Sequence, residues 1–244
     1  DQGNTLTKIL ETFSDLGYTF DWRILNAANY GVPQKRERFI LIGSRDGAII
    51  QFPTPTHHYN GRVIGCRDKG RIVASGVELP PALSVMDAIG DLPVLSSGES
   101  AEAYTKRPIT HYQRQRRKKQ KILTLHRASN HSAKMLEVIR HAGANISSIP
   151  ANLITSGFSS CYSRLDAHEP ATTITVKFQS PASSKCIHPQ QNRTITPREA
   201  ARIQGFDDDY VFCGSLTQIA AQIGNAVPPV LGKAIAGEVL GMLE

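Results

Sequence analysis

The stretch GVPQKRERFILIG, residues 31–43, combines three structural signals. A glycine and a proline end the preceding segment, Gln34, Arg36 and Arg38 follow at every second position, and an apolar run closes the stretch. This run predicts a buried strand that ends at Gly43. If the polar part is also extended, side chains two positions apart share one face, so the amide and both guanidiniums point together at the mouth of the strand. Such a group suits an anionic ligand such as nucleic acid, although a solvated strand entrance has the same spacing.

Composition limits the class of protein. With 244 residues, of which 40% are hydrophobic, the chain is long enough for one large domain or two small ones with a packed core. Its 28 lysines and arginines exceed the 21 aspartates and glutamates, which gives a net charge of +7 and a pI near 9.3. This balance favours polyanionic partners, nucleic acid above all.

The cysteines and the apolar runs exclude further classes. Four cysteines lie far apart without a C-x-x-C pair, so we expect no metal site, no disulfide framework and a reduced, cytoplasmic protein. They are Cys66, Cys161, Cys186 and Cys213. The sequence contains neither an apolar stretch of about 18 residues nor a secretion signal. Its start at Asp1 rather than at a methionine suggests a piece of a longer protein.

The first part of the chain alternates helix and strand patterns. An apolar stripe over residues 3–17, with Asn4 or Thr5 as cap, predicts a helix that faces the core. Residues 18–25 alternate loosely between apolar and polar and predict a strand, which a loop connects to the stretch quoted above. Helix, strand, loop and strand in this order are typical of the trailing edge of an α/β sheet whose last two strands pair as a hairpin.

From about residue 52 the sequence is rich in proline, histidine, glycine and serine, which predicts an irregular module. Within it we expect helices at residues 84–92 and 130–142, and a turn followed by a strand at residues 162–178. Residues 114–121 contain six basic residues in eight positions. A solvated helix face and a phosphate-binding surface both explain such a run. Because like charges this dense repel unless something acidic lies opposite, we favour phosphate contact.

Two blocks near the C terminus carry helix signals. Residues 193–206, RTITPREAARIQGF, offer Thr196 as N-cap, Pro197 at the first helical position and Glu199 three residues after the cap. The glycine of Q-G-F ends this helix. Residues 224–239, GNAVPPVLGKAIAGEV, predict a turn that leads into a helix whose small residues allow close approach to the sheet.

These blocks, in this order, resemble the C-terminal half of a DNA (cytosine-5) methyltransferase of bacterial type. The matches are Gln34, Arg36 and Arg38 to the family's Q-x-R-x-R block, residues 193–206 to its R-x-[LI]-T-x-R-E-x-A-R-x-x-G-F block, and residues 224–229 to its G-N-[AS]-V-P-P block. The opening residues 3–5 also resemble the family's segment before the first of these blocks.

The resemblance covers about residues 1–55 and 162–244, and residues 56–161 fall where the family keeps its variable target-recognition region. Asp207 stands where the family usually has proline, and we expect little consequence because it lies just past the helix end. The family's glycine-rich cofactor turn, its Pro-Cys nucleophile loop and its Glu-Asn-Val block would all precede Asp1, and no cysteine here follows a proline. The chain alone is therefore expected to be inactive.

The implied fold is α/β: the trailing part of a Rossmann-like, S-adenosylmethionine-dependent methyltransferase sheet plus an irregular, mixed target-recognition domain. We expect residues 1–55 to complete the catalytic domain and residues 56–192 to form the recognition domain. Residues 193–244 would supply a helix that organises the recognition domain and a C-terminal helix that returns to the catalytic domain.

In the mechanism that the resemblance implies, a cysteine thiolate adds to C6 of a flipped-out cytosine, a glutamate assists at N3, and C5 attacks the methyl group of S-adenosylmethionine. Arg38 would lie on the base near O2, where a cation stabilises the developing charge. Arg36 would support the nucleophile loop and Gln34 would order the same cluster. The residues expected to meet the cofactor are Asn225, Ala226 and Val227.

The remaining candidates fall into two sets. One is expected mostly to organise the recognition module, because bridging Arg–Glu clusters usually support architecture. It comprises Arg193, Arg198, Glu199 and Arg202. The other is expected to contact the bases or phosphates of DNA. It comprises Arg62, Arg67, Arg71, Lys106, Arg107, Arg114, Arg116, Arg117, Lys118, Lys119, Arg127 and Arg164.

The leading hypothesis is part of a DNA cytosine-5 methyltransferase that acts on a specific duplex sequence, in restriction–modification or as an orphan enzyme. Its partners would be duplex DNA and the missing N-terminal half, from the same parent chain or a separate subunit, in an enzyme that acts as a monomer without membrane contact. Two alternatives stay open, a non-catalytic DNA-binding subunit of a split methyltransferase and a tRNA cytosine-5 methyltransferase.

Overall fold

The computed structural model describes residues 4–61, 70, 72, 78–154 and 157–243. In chain order its elements are α1 (Asn4–Asp15), β1 (Thr19–Asn26), β2 (Gln34–Lys35), β3 (Glu37–Ser44), α2 (Val85–Ile89), α3 (His111–Arg117), α4 (Ala133–Arg140), β4 (Ala171–Thr172), α5 (Pro197–Gln204), α6 (Leu216–Asn225) and α7 (Pro229–Gly241). Short 3-10 helices lie at Ala27–Tyr30 and Ile146–Ser148. None of the described helices combines the length and the apolar character that a membrane crossing needs.

The predicted hairpin is confirmed. Strands β1 and β3 pair antiparallel along their whole length, from Thr19 opposite Ser44 to Asn26 opposite Glu37. The predicted strand forms, but it is only partly buried, because Phe39 in β3 is 44% exposed. Among the described strands β3 pairs with β1 alone, so its other edge forms no ladder with a described strand.

Helix α1 forms as predicted, but the prediction that it faces the core is wrong for the described chain. None of its residues is buried, and Ile9 is 40% exposed. Only Phe13 has aromatic partners, with its ring centroid 5.4 Å from that of Tyr18 and 5.9 Å from that of Phe20. A two-stranded hairpin is too narrow to cover the whole apolar stripe, which leaves the rest of it at the surface.

The main core joins α2, α5 and α6 to the segment around β4. Ile174, Phe178, Ile203 and Ile223 lie in it, each 2% exposed or less. Every residue of α5 is buried. Its predicted start and end are confirmed: Thr196 and Glu199 form a reciprocal capping box, Pro197 is the first helical residue, and Gly205 ends the helix with φ +98°. A buried helix therefore forms the centre of this half of the chain.

The strand predicted within residues 162–178 is confirmed only over two residues. Strand β4 is two residues long and pairs parallel with β2. Beyond it, the backbone amide of Ile174 donates to the side chain of Gln34, and the carbonyl of Thr175 accepts from Phe178 in a turn. Because these groups bond to a side chain and within a turn, they cannot extend the ladder.

Helices at both predicted positions in the middle region are confirmed, and a second core brings the C terminus back to the hairpin. Ser84 and Asp87 cap α2 reciprocally, and α4 buries Val138 and Ile139. In the second core Leu231 of α7 packs with Leu25, Val32 and their neighbours. Helices α3 and α6 were not predicted.

Candidate functional site

Gln34 and Arg36 converge on the backbone of Ile174. The amide of Ile174 donates to Gln34 Oε1 at 2.9 Å, and Arg36 Nη1 donates to the carbonyl oxygen of Ile174 at 3.2 Å. The two side chains therefore share a face, as their spacing predicts. They face protein backbone rather than a ligand, however, since Gln34 is 0% and Arg36 is 4% exposed. The expectation of an amide and two guanidiniums open to an anion is thus wrong for these two residues.

Arg36 also reaches the end of α6. Its Nη2 donates to the carbonyl oxygen of Gly224 at 3.1 Å. Burial, together with the nearby charge of Arg38, lowers the pKa of Arg36 to about 10, so the guanidinium stays charged at neutral pH. Arg36 therefore ties the G-N-A-V-P-P block to the Q-x-R-x-R block.

Arg38 is the member of the block that stays near the surface. Its side chain is half-buried, and its Nη1 donates to the carbonyl oxygen of Glu37 at 2.6 Å. Of the three predicted catalytic residues, it is the one whose charge lies close to solvent. Its role on a cytosine stays a prediction.

The predicted cofactor residues lie at the end of α6, where two backbone carbonyls are held from inside the protein. Gln204 Nε2 donates to the carbonyl oxygens of Ile223 and Ala226, both at 2.9 Å. With these carbonyls directed inward, Asn225 and Val227 are exposed. Gln204 was not predicted as a site residue. Its only indication in the sequence is that it is a polar residue at the end of a helix with an apolar face, where a buried amide needs hydrogen-bond partners.

The end of α6 directly touches the segment that follows β4. A Cβ on Gly224 would lie 2.5 Å from the backbone nitrogen of Val176 and 2.6 Å from the carbonyl carbon of Thr175. Real side chains do not approach backbone so closely. Glycine at this position therefore lets two backbones meet beside the predicted cofactor residues.

A buried ionic network surrounds α5. Arg193 donates to both carboxylate oxygens of Glu199, at 2.8 and 2.7 Å. Burial alone would raise the pKa of Glu199, but the charge and hydrogen bonds of Arg193 lower it to about 2. Arg198 donates to the carbonyl and hydroxyl oxygens of Thr124, at 3.0 and 2.7 Å.

Arg202 extends this network to α2. It pairs with Asp91 at 3.0 Å and with Asp208 at 2.6 Å, and all three side chains are 1% exposed or less. Together with the contacts of Arg193 and Arg198, these are the bonds that an organising role needs.

The basic run meets acidic residues from far along the chain. Asp207 pairs with Arg116 at 2.8 Å and with Lys118 at 2.7 Å, and Asp209 pairs with Lys118 at 2.8 Å. Arg117 lies over the ring of Tyr104, 3.7 Å from its centroid. The expectation that Asp207 has little consequence is therefore wrong, because its carboxylate neutralises part of the run.

Arg164 has no donor left for DNA. Its five N–H groups bond to the carbonyl oxygens of Ile139, Ala142, His188 and Gln191 and to the side chain of Asn192, at 2.7–3.3 Å. The exposed cations of the predicted DNA-binding set are Lys106, Arg107, Arg114, Lys118, Lys119 and Arg127. Arg62, Arg67 and Arg71 lie outside the described residues.

His188 is a buried imidazole beside this network. Its Nδ1 accepts from the backbone amides of Gln190 and Gln191, and its Nε2 lies 3.7 Å from Glu199. Burial lowers its pKa to about 4. The positive charge of Arg193 also lowers this pKa, whereas the negative charge of Glu199 raises it.

We expect the stability that His188 contributes as a neutral ring to be complete above pH 6.5 and to be lost as the pH falls toward about 4. The full loss amounts to about 3 kcal/mol. Urea unfolding of His188→Asn at pH 7 and pH 4 should show a smaller acid destabilisation than wild type, because the asparagine oxygen keeps one acceptor without titrating. His168→Asn, at an exposed position, serves as control, and equal acid destabilisation of wild type and His188→Asn would refute the assignment.

Comparison with known proteins gives consistent matches over the whole chain. The profile of C-5 cytosine-specific DNA methylases matches residues 1–241. Type II methyltransferase M1.HphI of Haemophilus parahaemolyticus is 35% identical over 99% of this chain and 53% of its own length. Type II methyltransferase M.AgeI of Thalassovita gelatinovora is 31% identical over 96% of this chain and 68% of its own length. The chain thus spans about half to two thirds of these relatives.

Among solved structures, an Escherichia coli prophage protein described as a DNA modification methyltransferase superimposes with a TM-score of 0.68. The match covers 100% of this chain and 66% of that protein, with 19% identity. At this identity the likeness shows a shared mixed α/β fold over part of that protein.

Proposed function

Since the chain belongs to the family of C-5 cytosine-specific DNA methylases, we propose that it is the distal part of a DNA cytosine-5 methyltransferase. It carries the target-recognition region, one wall of the cofactor site and a cation for the target base. The enzyme transfers methyl groups to C5 of a cytosine in a specific duplex sequence. The named relatives are type II methyltransferases, which favours a place in restriction–modification.

The observation that carries this proposal is the meeting of the family's separate sequence blocks around one hydrogen-bonded cluster. Gln34 and Arg36 come from the first block, Gln204 from the second and Gly224 from the third. Beside this cluster Arg38 lies near solvent, which is the position that a cation for the target base requires.

The open apolar surfaces support the assignment of the missing half. Helix α1 buries none of its residues, and Phe39 leaves one face of the hairpin uncovered. In the proposed enzyme the upstream half continues the Rossmann-like sheet and covers both. It also supplies the nucleophile and the glycine-rich cofactor turn.

The residues at the end of α6 fit one wall of a site for S-adenosylmethionine. The exposed Asn225 offers amide donors and an acceptor to the amino-acid end of the cofactor, and Val227, 55% exposed, offers apolar surface. When bound, the cofactor supplies the methyl group. Arg38 holds positive charge near O2 of the base, where the attacked ring accumulates electrons.

A mixing experiment tests the proposal. The chain alone is expected to transfer no labelled methyl groups to duplex DNA, whereas the chain combined with the upstream half of its parent protein transfers them. Transfer by the chain alone would contradict the assignment of the nucleophile to the other half. No transfer by the combination, with DNA binding retained, would favour the non-catalytic subunit.

The same mixture distinguishes DNA from tRNA. Gel shifts are expected to show tighter binding of duplex DNA than of tRNA. The salt concentration must be the same in both, because phosphate contacts make both affinities fall steeply with ionic strength. Tighter binding and methylation of tRNA would support the third candidate function instead.

A further inference from the structure

Gln204 is the last residue of α5, and its side chain is 0% exposed. Its amide nevertheless bonds to two distant parts of the chain. The oxygen accepts from Gln34 Nε2 on β2, and the nitrogen donates to the carbonyls of Ile223 and Ala226 at the end of α6. Every polar atom of the side chain is thus engaged, which makes the contact specific in direction as well as in place.

The amides form a chain with a fixed direction. Ile174 donates its backbone N–H to Gln34, Gln34 donates to Gln204, and Gln204 donates to two carbonyls. Turning either glutamine amide over would place oxygen opposite oxygen at one end and nitrogen opposite nitrogen at the other. The orientation of one amide therefore determines that of the next.

This chain fixes the segment that we propose as the cofactor wall. Gln204 holds the carbonyls of Ile223 and Ala226, and Arg36 holds the carbonyl of Gly224 between them. Three carbonyls pulled inward leave the side chains of Asn225 and Val227 to point outward. Their presentation depends on groups that never touch the cofactor themselves.

We infer that Gln204 is a positioning residue, which orients the cofactor-facing turn at residues 223–227 and couples it to the β2–β3 segment that carries Arg38. The inference rests on the proposed function in taking this turn as a cofactor wall. Gln204 bonds directly to the backbone of the cofactor-facing turn and reaches the segment of Arg38 only through the side chain of Gln34. Loss of the Gln204 amide should therefore alter cofactor affinity more than the chemical step.

The first test measures the turn itself in the 244-residue chain. In Gln204→Leu, hydrogen exchange of the backbone amides of residues 223–227 is expected to accelerate about tenfold or more, because two buried carbonyls lose their donor. Gln222→Leu is the matched control, since Gln222 is exposed and its single bond runs to the carbonyl of Cys213. Exchange that accelerates equally in both variants, or in neither, would overturn the inference.

The second test uses the chain combined with its upstream half. In Gln204→Leu the KM for S-adenosylmethionine and the dissociation constant of S-adenosylhomocysteine are expected to rise about tenfold, with kcat changed much less. A merely structural residue would lower the amount of active enzyme and leave KM unchanged, and that result would refute positioning. If the wild-type mixture is inactive, the proposed function fails, while the exchange experiment still decides whether Gln204 holds the turn.

A double variant tests the coupling. If the amides act as one chain, Gln34→Leu combined with Gln204→Leu should accelerate exchange of residues 223–227 little more than Gln204→Leu alone. Multiplication of the two single effects would mean that the residues act independently and would contradict the coupling.

Discussion

Replacement of Arg202 by methionine is expected to lower the free energy of unfolding by about 3–5 kcal/mol. The guanidinium pairs with Asp91 and Asp208, and all three side chains are at most 1% exposed. Methionine fills part of the volume but removes the nearest cation from both carboxylates, which keep only Arg117, 3.9 Å from Asp91, and Arg198, 3.6 Å from Asp208, in a site that excludes water. Most of the loss comes from these poorly compensated charges rather than from the bonds themselves.

Urea unfolding at neutral pH measures the effect, with Arg140→Met as matched control. Arg140 also pairs with a carboxylate, Glu137 at 2.7 Å, but the two side chains are 63% and 43% exposed. The control should lose less than about 0.5 kcal/mol. Adding Asp208→Asn to Arg202→Met should recover part of the stability by removing one buried charge, and a double variant less stable than the single one would contradict this explanation.

Substitution of Gly224 by alanine is expected to cost about 3 kcal/mol of stability and to displace the turn at residues 223–227. The added Cβ would lie within 2.8 Å of three backbone atoms of Thr175 and Val176. Backbone cannot rotate away as the tip of a flexible side chain can, so the end of α6 must move. In the combined enzyme, cofactor affinity should fall with it.

The control is the same chemical change at Gly237 in α7, where a Cβ would meet nothing within 4 Å. There alanine should stabilise the helix by about 0.5–1 kcal/mol, because glycine has the greater freedom in the unfolded chain. Thermal unfolding should thus show shifts of opposite sign for two identical substitutions. A stabilising effect at Gly224 would mean that the two backbones are not held in contact.

Local patterns predicted the elements well because their causes are local. The capping box of α5 lies within four residues, and the hairpin joins two strands that are close together in the chain. The open face of α1 could not be predicted in the same way. Its apolar stripe has the spacing of a core-facing helix. Whether another element covers this stripe depends on residues that are distant in the sequence.

The site was predicted in composition but not in orientation. Spacing placed Gln34 and Arg36 on one face, but the bond between Gln34 and Gln204 joins positions 170 residues apart, and no local period carries that distance. The basic run is a similar case. Asp209, which pairs with Lys118 of this run, lies 91 residues away in the sequence. The density of positive charge therefore predicted phosphate contacts, whereas the fold brings carboxylates to part of the run.

The segment at residues 174–176 is held by its main chain, and this has a consequence for the substitutions that it tolerates. Gln34 and Arg36 hold Ile174 by its backbone N–H and carbonyl, and Gly224 meets the backbone of Val176. Main-chain atoms are the same whatever residue is encoded. Val176, which is 39% exposed, can therefore change its side chain without losing this attachment, whereas Ile174, which is 2% exposed, must keep a side chain that fills the core.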